Sequence, residues 1–350
     1  MSFVDENTAF EEWLRSQCHV VEADLDYKHV RMKKDAFTFL RATFFRWAQR
    51  IETICPTLRE APAAPSVGDA HTENFGTWRD GDGRLVWGVN DFDEAAVIAY
   101  PFDLVRLATS VRLAPGAALD NHAAAKAILD GYGEGLDRPG PMLLDENATL
   151  MRPFVEGAED SPRKFWDEVA SYPAAEPPGE VQDVLRLSLP ADAVVERFAS
   201  RRKGGGGLGR PRFVAAARWR GGGVVREAKA LVPSAWNWAH GRGGSAPSFS
   251  DLATGKYRSP DPFLRDVGKF IVRRIAADSR KIELGETAGA ELSLRLLSAM
   301  AMDLASIHAV NNSDRQAIRE HLVAQPPDWL HDAAAAAAVD VKKDFDEWRR

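Results

Sequence analysis

Apolar residues recur at three- and four-residue steps through MKKDAFTFLRATFFRWAQRI, where Phe37, Leu40, Phe44, Trp47 and Ile51 form one stripe. The spacing predicts a helix with that stripe in the core and with Arg41 and Arg46 on its other faces. Residues 1–60 read as helical, and APAAP at 61–65 stops the pattern. A β-hairpin is predicted over 75–90, where FGTWR and RLVWGVN flank the turn Asp80-Gly81-Asp82-Gly83. YPFDLVRLATSVRLA, from Tyr100, opens a helix, and 118–136 continue as helix. RFVAAARWR and VVREAKALV around Gly221-Gly222-Gly223 predict a second hairpin, and KFIVRRIA at 269–276 a strand. Residues 291–310 form an amphipathic helix, and the alanine run at 333–338 extends a C-terminal one. SYPAAEPPGE at 171–180 is a candidate domain boundary, and 241–255 a loop. No internal repeat is present.

The first hairpin matters for what it brings together. SVGDAHTENFG precedes its first strand and VNDFDEA follows its second. Folded at Gly81–Asp82, the hairpin sets Asn74 near Val89 and beside Asp91. Two clusters then become one site holding Asp69, His71, Glu73, Asn74, Asp91, Asp93 and Glu94. An aspartate can accept a proton from a substrate hydroxyl. An Asn oxygen and an Asp carboxylate are hard ligands suited to Mg²⁺. Phosphoryl transfer asks for little more than positioning, charge neutralisation and an oriented nucleophile. Kinases place these parts as an Asp, an Asn five residues on, and a second Asp beyond a hairpin, the order of Asp69, Asn74 and Asp91. A lone turn aspartate is ordinarily a local cap; the constellation carries the information. Asp103, in PFDLVRLA, either caps the helix it opens or braces the preceding loop through its backbone amides.

In KGGGGLGRPRFVAAARW, Gly204, Gly206 and Gly209 satisfy G-x-G-x-x-G, with Gly207 in the same run. A strand, a turn and a strand follow, not the helix of a dinucleotide-binding unit. That context fits a flap whose backbone amides cover phosphates. The second strand carries Arg226, Glu227 and Lys229. Arg226 and Lys229 fall on opposite faces, so only one can meet the phosphates; Lys229 is favoured.

Composition narrows the field. The chain has 350 residues, enough for two lobes with a real core, and 45% hydrophobic with 27% charged residues is an ordinary globular mix. A net charge of -6 argues against nonspecific nucleic-acid binding. Cys18 and Cys55 are too few for a disulfide framework. The acidic MSFVDENTAFEEW lacks signal-peptide regions, and no run reaches the ~18 apolar residues of a membrane helix. A reduced, cytoplasmic protein is expected, with neither nucleic acid nor membrane as partner. Among hydrolases, Asp69-Ala70-His71 resembles a metallophosphoesterase opening, but no G-N-H motif follows. His71-Thr72-Glu73 fits the H-x-E of zinc deaminases without their P-C-x-x-C. A calcium loop from Asp80 and Asp82 would have Arg84 at a ligand position.

GDAHTENFG, VNDFDE and FDLVRLATS resemble the motifs of the bacterial domain-of-unknown-function family 2252. That family is itself similar to the protein-kinase-like superfamily, closest to aminoglycoside and choline phosphotransferases. The resemblance runs from about Met32 to His308 and is densest at 66–110 and 203–235. It implies an α+β, two-lobed kinase-like fold binding ATP and Mg²⁺. Asp69 would be the catalytic base, Asn74 and Asp91 the metal ligands, and Asp103 the brace. Gly204, Gly206, Gly207 and Gly209 would cover the phosphates, with Lys229 or Arg226 on them. His71, Glu73, Asp93 and Glu94 would line the acceptor side or the second metal shell. The chain departs from the pattern with Val67 where phosphotransferases carry His and Asp93 where kinases carry Gly. Family members read roughly V-K-E-A where this chain has Val225-Arg226-Glu227-Ala228-Lys229, and only the remote Glu283 and Glu291 offer a helix glutamate. The order is also reversed, Asp69 preceding Gly204, which implies a circular permutation. The expected layout is a helical catalytic lobe at 1–180, a β-rich lobe at 181–290 and returning helices at 291–350. The expected activity is phosphoryl transfer to a hydroxyl of a small-molecule acceptor, an acidic pocket suiting a cationic one. The alternatives are a non-catalytic nucleotide-binding module, a nucleotidyl transferase and a metal-dependent phosphoesterase.

Overall fold

The computed structural model of the chain describes residues 2–116, 119–148, 161–241, 249–279 and 289–350. Four helices come first: α1 (Phe3–Gln17), α2 (Glu22–Met32), α3 (Ala36–Ala42) and α4 (Phe44–Ile54). A capping box between Ser2 and Asp5 starts α1, and Asp35 accepts from Thr38 N to start α3. The apolar stripe of Phe37, Leu40, Phe44, Trp47 and Ile51 is buried as expected. The single helix expected there is instead broken at Thr43, whose φ of -126° and ψ of 40° interrupt the ladder. Arg41, expected on an outer face, is buried beside that break.

The site segment lies on two small sheets. Strand β1 (Ala63–Ser66) pairs antiparallel with β4 (Ala96–Ala99), and the hairpin of β2 (Phe75–Arg79) and β3 (Leu85–Val89) is extended by β5 (Met142–Leu143). Its turn is closed by Asp80, whose Oδ1 accepts from Asp82 N and Arg84 N. Helices α5 (Pro101–Leu113) and α6 (Asn121–Asp137) follow; α5 is buried along nearly its whole length, and α6 packs one face in the main core.

Beyond residue 160, α7 (Ser161–Ser171) and α8 (Gly179–Ser188) lead into β6 (Val194–Ser200), β7 (Arg212–Trp219) and β8 (Gly222–Ala230). Two short helices, α9 (Ala235–Ala239) and α10 (Phe249–Ala253), precede β9 (Arg265–Val267) and β10 (Phe270–Arg274). These strands make an antiparallel five-stranded sheet in the order β6-β7-β8-β10-β9. Alternation sorts its two faces. Val181 and Leu185 of α8 pack on Ala215, Ala228 and Val272; Val169 and Tyr172, at the end of α7, pack on Val214, Val225 and Ile275. Helix α7 therefore packs with the sheet, and a boundary at 180 cuts that unit. The proline-rich connector runs along β6, with Ala175 N bonded to Phe198 O and Ser200 N to Pro173 O. The β7–β8 turn sits at Arg220 and Gly221, with φ of 47° and 83°, one step earlier than the glycine triplet suggested. Two positive φ angles match the twist of a two-residue hairpin turn, so Gly222 and Gly223 belong to the strand.

The chain closes with α11 (Gly289–His308), α12 (Asn312–Ala324) and α13 (Trp329–Arg349). Part of the expected loop at 241–255 and the remote Glu283 lie outside the described residues; Glu291 is exposed at the start of α11. Among the described residues no helix is long and apolar enough to cross a membrane.

Helix α11 crosses α6 at very close range, over Gly131 and Gly135. A Cβ at Gly131 would sit 2.2 Å from Ser298 O, while one at Gly133 would meet nothing within 4 Å. Gly131→Ala should therefore lose about 2 kcal/mol through overpacking. Gly133→Ala should gain up to about 1 kcal/mol from helix propensity. Urea unfolding of the two variants checks the pair, and equal shifts would contradict the crossing.

Candidate active site

The hairpin register pairs Phe75 with Val89, and Asn90 N bonds Asn74 O at 3.3 Å. Asn74 thus stands beside Asp91. Its side-chain nitrogen donates to Asp69 O at 3.0 Å and to Asp91 O at 3.1 Å, stapling the two loops. Asn74 also lines the cavity between the two loops and the sheet.

Helix α5 holds the first loop from below. Asp103, fully buried, accepts from Val67 N at 2.8 Å and Gly68 N at 2.9 Å. The helix has no side-chain cap, so Asp103 is the brace rather than the cap. His308 Nε2 lies 3.2 Å from the same carboxylate, and its Nδ1 is 2.8 Å from Tyr132 Oη. One turn on, Arg106 grips Asp69 Oδ1 at 2.7 Å from Nε and 2.5 Å from Nη2. Ser110, a further turn along, accepts from Thr72 N at 3.1 Å. Gly68 has a φ of 77°, and a Cβ there would sit 2.2 Å from Glu94 O, so the two loops approach where only glycine fits. Burial raises the Asp69 carboxyl above its ordinary range, and Arg106 opposes that only in part. His71 Nε2 is 3.8 Å from Asp69 Oδ2, and its Nδ1 accepts from Glu73 N.

On the sheet side, Lys229 reaches the same place from β8. Its ammonium contacts Asp93 and lies 3.9 Å from Asp91 Oδ2. Burial lowers its ordinary pKa. Arg226 points the other way: it donates to Ser188 O at 2.9 Å and stacks over Phe263. Strand alternation decides between them, and Arg226 is not at the site. The acidic residues also divide. Arg210 binds Asp93 at 3.3 Å and Glu94 at 2.7 Å, and Glu94 accepts from Ala235 N at 2.7 Å. Glu94 is therefore a clasp between the two loops and α9, where an acceptor-side role was expected. Glu73 is turned to Arg41, 2.5 Å away.

The glycine-rich segment is the β6–β7 connection and roofs the cavity. A Cβ at Gly206 would be 3.1 Å from Arg41 O and 3.6 Å from Asp69 Oδ2; one at Gly207 would be 2.8 Å from Lys229 Nζ. Gly204 O accepts from Arg31. Gly209 lies away from the cavity, packed on Leu25, and its φ of 93° makes it a packing glycine rather than a phosphate cover. Beneath the roof is a cavity of about 60 Å³ lined by Asp69, Asn74, Asp91, Lys229 and Lys28. A second cavity of about 330 Å³ adjoins it, sharing Asp91, Gly204 and Arg212 and walled by Trp78, Phe92 and Phe165.

Sequence reading missed Arg106, Arg210, Lys28 and the role of Glu227. Glu227 is buried on the Lys229 face of β8 and is held by Arg201 at 2.6 Å, Arg273 at 2.8 Å and Arg212 at 3.2 Å. These arginines hold its carboxyl far below the ordinary range against a large burial cost. The signal for Lys28 and Arg106 was a charge on an apolar stripe: Lys28 lies between Leu25 and Met32, and Arg106 between Val105 and Leu107 in α5, of which only Arg112 is not buried.

Residues 20–140 match a family described as "Uncharacterized protein conserved in bacteria (DUF2252)". That span contains Lys28, Asp69, Asn74, Asp91, Asp103 and Arg106 and stops before the glycine-rich segment. No curated protein and no solved structure matches the chain significantly.

Glu227→Gln leaves the buried Arg212 and the partly buried Arg201 and Arg273 without their shared counter-ion and should cost about 3–5 kcal/mol at neutral pH. The folded pKa lies below the unfolded one, so this contribution is complete above the unfolded value of 4.5 and fades as pH falls toward the folded value. The stability gap between wild type and variant should be flat from about pH 6 to 8 and shrink below about pH 4 in urea titrations. A gap that widens toward acid would contradict the assignment.

Proposed function

We propose that this chain is an ATP- and Mg²⁺-dependent phosphotransferase acting on an acceptor hydroxyl, with a kinase-like site built in permuted order. One observation carries the reading: Asp69, Asn74, Asp91 and Lys229 line one cavity under a glycine-rich strand connection, and Asp103 clamps the loop that presents Asp69. A base, hard oxygen ligands, a phosphate-pairing cation and backbone amides are the parts phosphoryl transfer needs.

Magnesium fits the donors present. Mg²⁺ is commonly held by one or two carboxylates plus substrate phosphates, and Asn74 Oδ1 and the half-exposed Asp91 carboxylate supply protein oxygens. Bound there, the ion would neutralise phosphate charge. The metallophosphoesterase alternative needs a larger ligand set, and the described residues hold no group of three or more His, Cys, Asp or Glu able to bind a metal.

The cavity under the roof is too small for a nucleotide, whose sites run from about 300 Å³. The adjoining cavity is of that size. Its aromatic wall suits a base, and Arg212, common to both cavities, lies where a phosphate chain would pass toward Lys229. Lys229 would exchange Asp93 for phosphate oxygens on binding. Asp69 would accept the acceptor's proton: its Oδ1 is held by Arg106, so Oδ2 is the atom left for the hydroxyl, and burial makes that carboxylate more basic. The Lys229–Asp93 pair also suits a binding-only module, which would keep the nucleotide and lose transfer.

Calorimetric titration of ATP with and without Mg²⁺ into wild type and Asp91→Ala tests the site. Magnesium-dependent binding should be present in wild type and weakened at least tenfold, about 1.4 kcal/mol, in the variant. No binding to wild type would sink the reading. Asp69→Asn should keep ATP affinity within about twofold and lose transfer by about 10²-fold or more. A fully active Asp69→Asn would remove the base assignment, and label transferred from the α- rather than the γ-phosphate would show nucleotidyl transfer.

A further inference from the structure

Lys28 is the buried cation that the proposed mechanism leaves unused. It lies mid-way along α2 and is 1% exposed, yet it lines the cavity with Asp69 and Lys229. Among the described residues it takes part in no hydrogen bond or ion pair; its ammonium lies over the ring of Phe10, 5.7 Å from the centroid. The carboxylates close enough to act on it are Glu11, Glu94 and Asp69, with Arg210 acting against them. Each is already taken. Glu11 is held by Asn7 at 2.9 Å and His29 at 2.5 Å, Glu94 by Arg210 and Ala235 N, and Asp69 by Arg106. Burying an ammonium without a partner is costly and is ordinarily selected against. Desolvation accordingly pulls its pKa from 10.5 to about 8, which still leaves it charged at neutral pH. By contrast Lys229, in the same cavity, has Asp93.

We propose that Lys28 is an anion-binding residue of this cavity, which Phe10, Phe44 and Phe45 also line, and receives a phosphate oxygen of the ligand. The demand for an anion follows from the unmatched ammonium; only its identity as phosphate rests on the phosphoryl-transfer reading. Lys28 would then face either the group in transfer or an anionic group of the acceptor. It would be a ligand contact contributed from outside both the catalytic loop and the sheet.

The test is calorimetric titration of MgATP, and separately of inorganic phosphate, into wild type, Lys28→Met and Asp91→Ala, with melting curves of the ligand-free proteins. Lys28→Met should weaken the ligand bound by wild type at least tenfold and should raise the ligand-free melting temperature, because a buried charge is replaced by an apolar side chain of similar length. Loss confined to MgATP places Lys28 on the transferred phosphate chain; loss of inorganic phosphate binding as well places it on a separate anion site. Equal affinities in wild type and Lys28→Met overturn the inference while MgATP binding lost in Asp91→Ala keeps the nucleotide reading. Phosphate binding lost in Lys28→Met with no MgATP binding by wild type does the reverse. A lowered melting temperature, an unfolded variant or no binding of either anion to wild type shows a structural lysine and overturns the proposal.

Discussion

The Asp103 carboxylate is the constraint on which the site depends. It is fully buried and accepts two backbone amides from consecutive residues, Val67 and Gly68, with His308 completing its shell. A buried carboxylate must be satisfied, so the loop has one low-energy position. Helix α5 then works as a ruler. Asp103, Arg106 and Ser110 stand at i, i+3 and i+7, one face of a helix, and they hold the loop, the Asp69 side chain and the following turn in that order. Because Arg106 also donates to Leu40 O, the ruler is tied to α3 as well.

Apolar packing and charge pairing divide the work. The helical portion and the two faces of the sheet each have their own hydrophobic clusters. The links across the site include ion pairs and polar contacts, Arg210 to Asp93 and Glu94, Lys229 to Asp93, Arg31 to Gly204 O, beside apolar ones such as Leu25 with Val232. Contacts between such units that are rich in charge resemble transient interfaces.

Much was legible from periodicity. The first hairpin, the buried stripe from Phe37 to Ile51, the β10 strand and the long α11 all follow from local spacing, and the hairpin alone was enough to set Asn74 beside Asp91. The expectations that failed did so where local patterns meet tertiary demands. The break at Thr43 falls inside an unbroken apolar stripe, close to Arg41, whose carbonyl oxygen the glycine-rich segment approaches at Gly205 and Gly206. Helix α7 reads as part of the first half, yet Val169 and the following Tyr172 pack on the sheet.

By itself the sequence determined the acidic loops, their hairpin and the opposition of Arg226 and Lys229, because these depend on residue type, turn chemistry and a strand's two-residue period. Tertiary structure alone decided which charges pair. Asp103 became a brace rather than a cap, Glu94 a clasp, Glu227 the hub of three arginines and Lys28 a buried cation with no ion pair among the described residues. Such pairings join residues tens to hundreds of positions apart, and their energies depend on burial and distance, neither of which a local pattern contains.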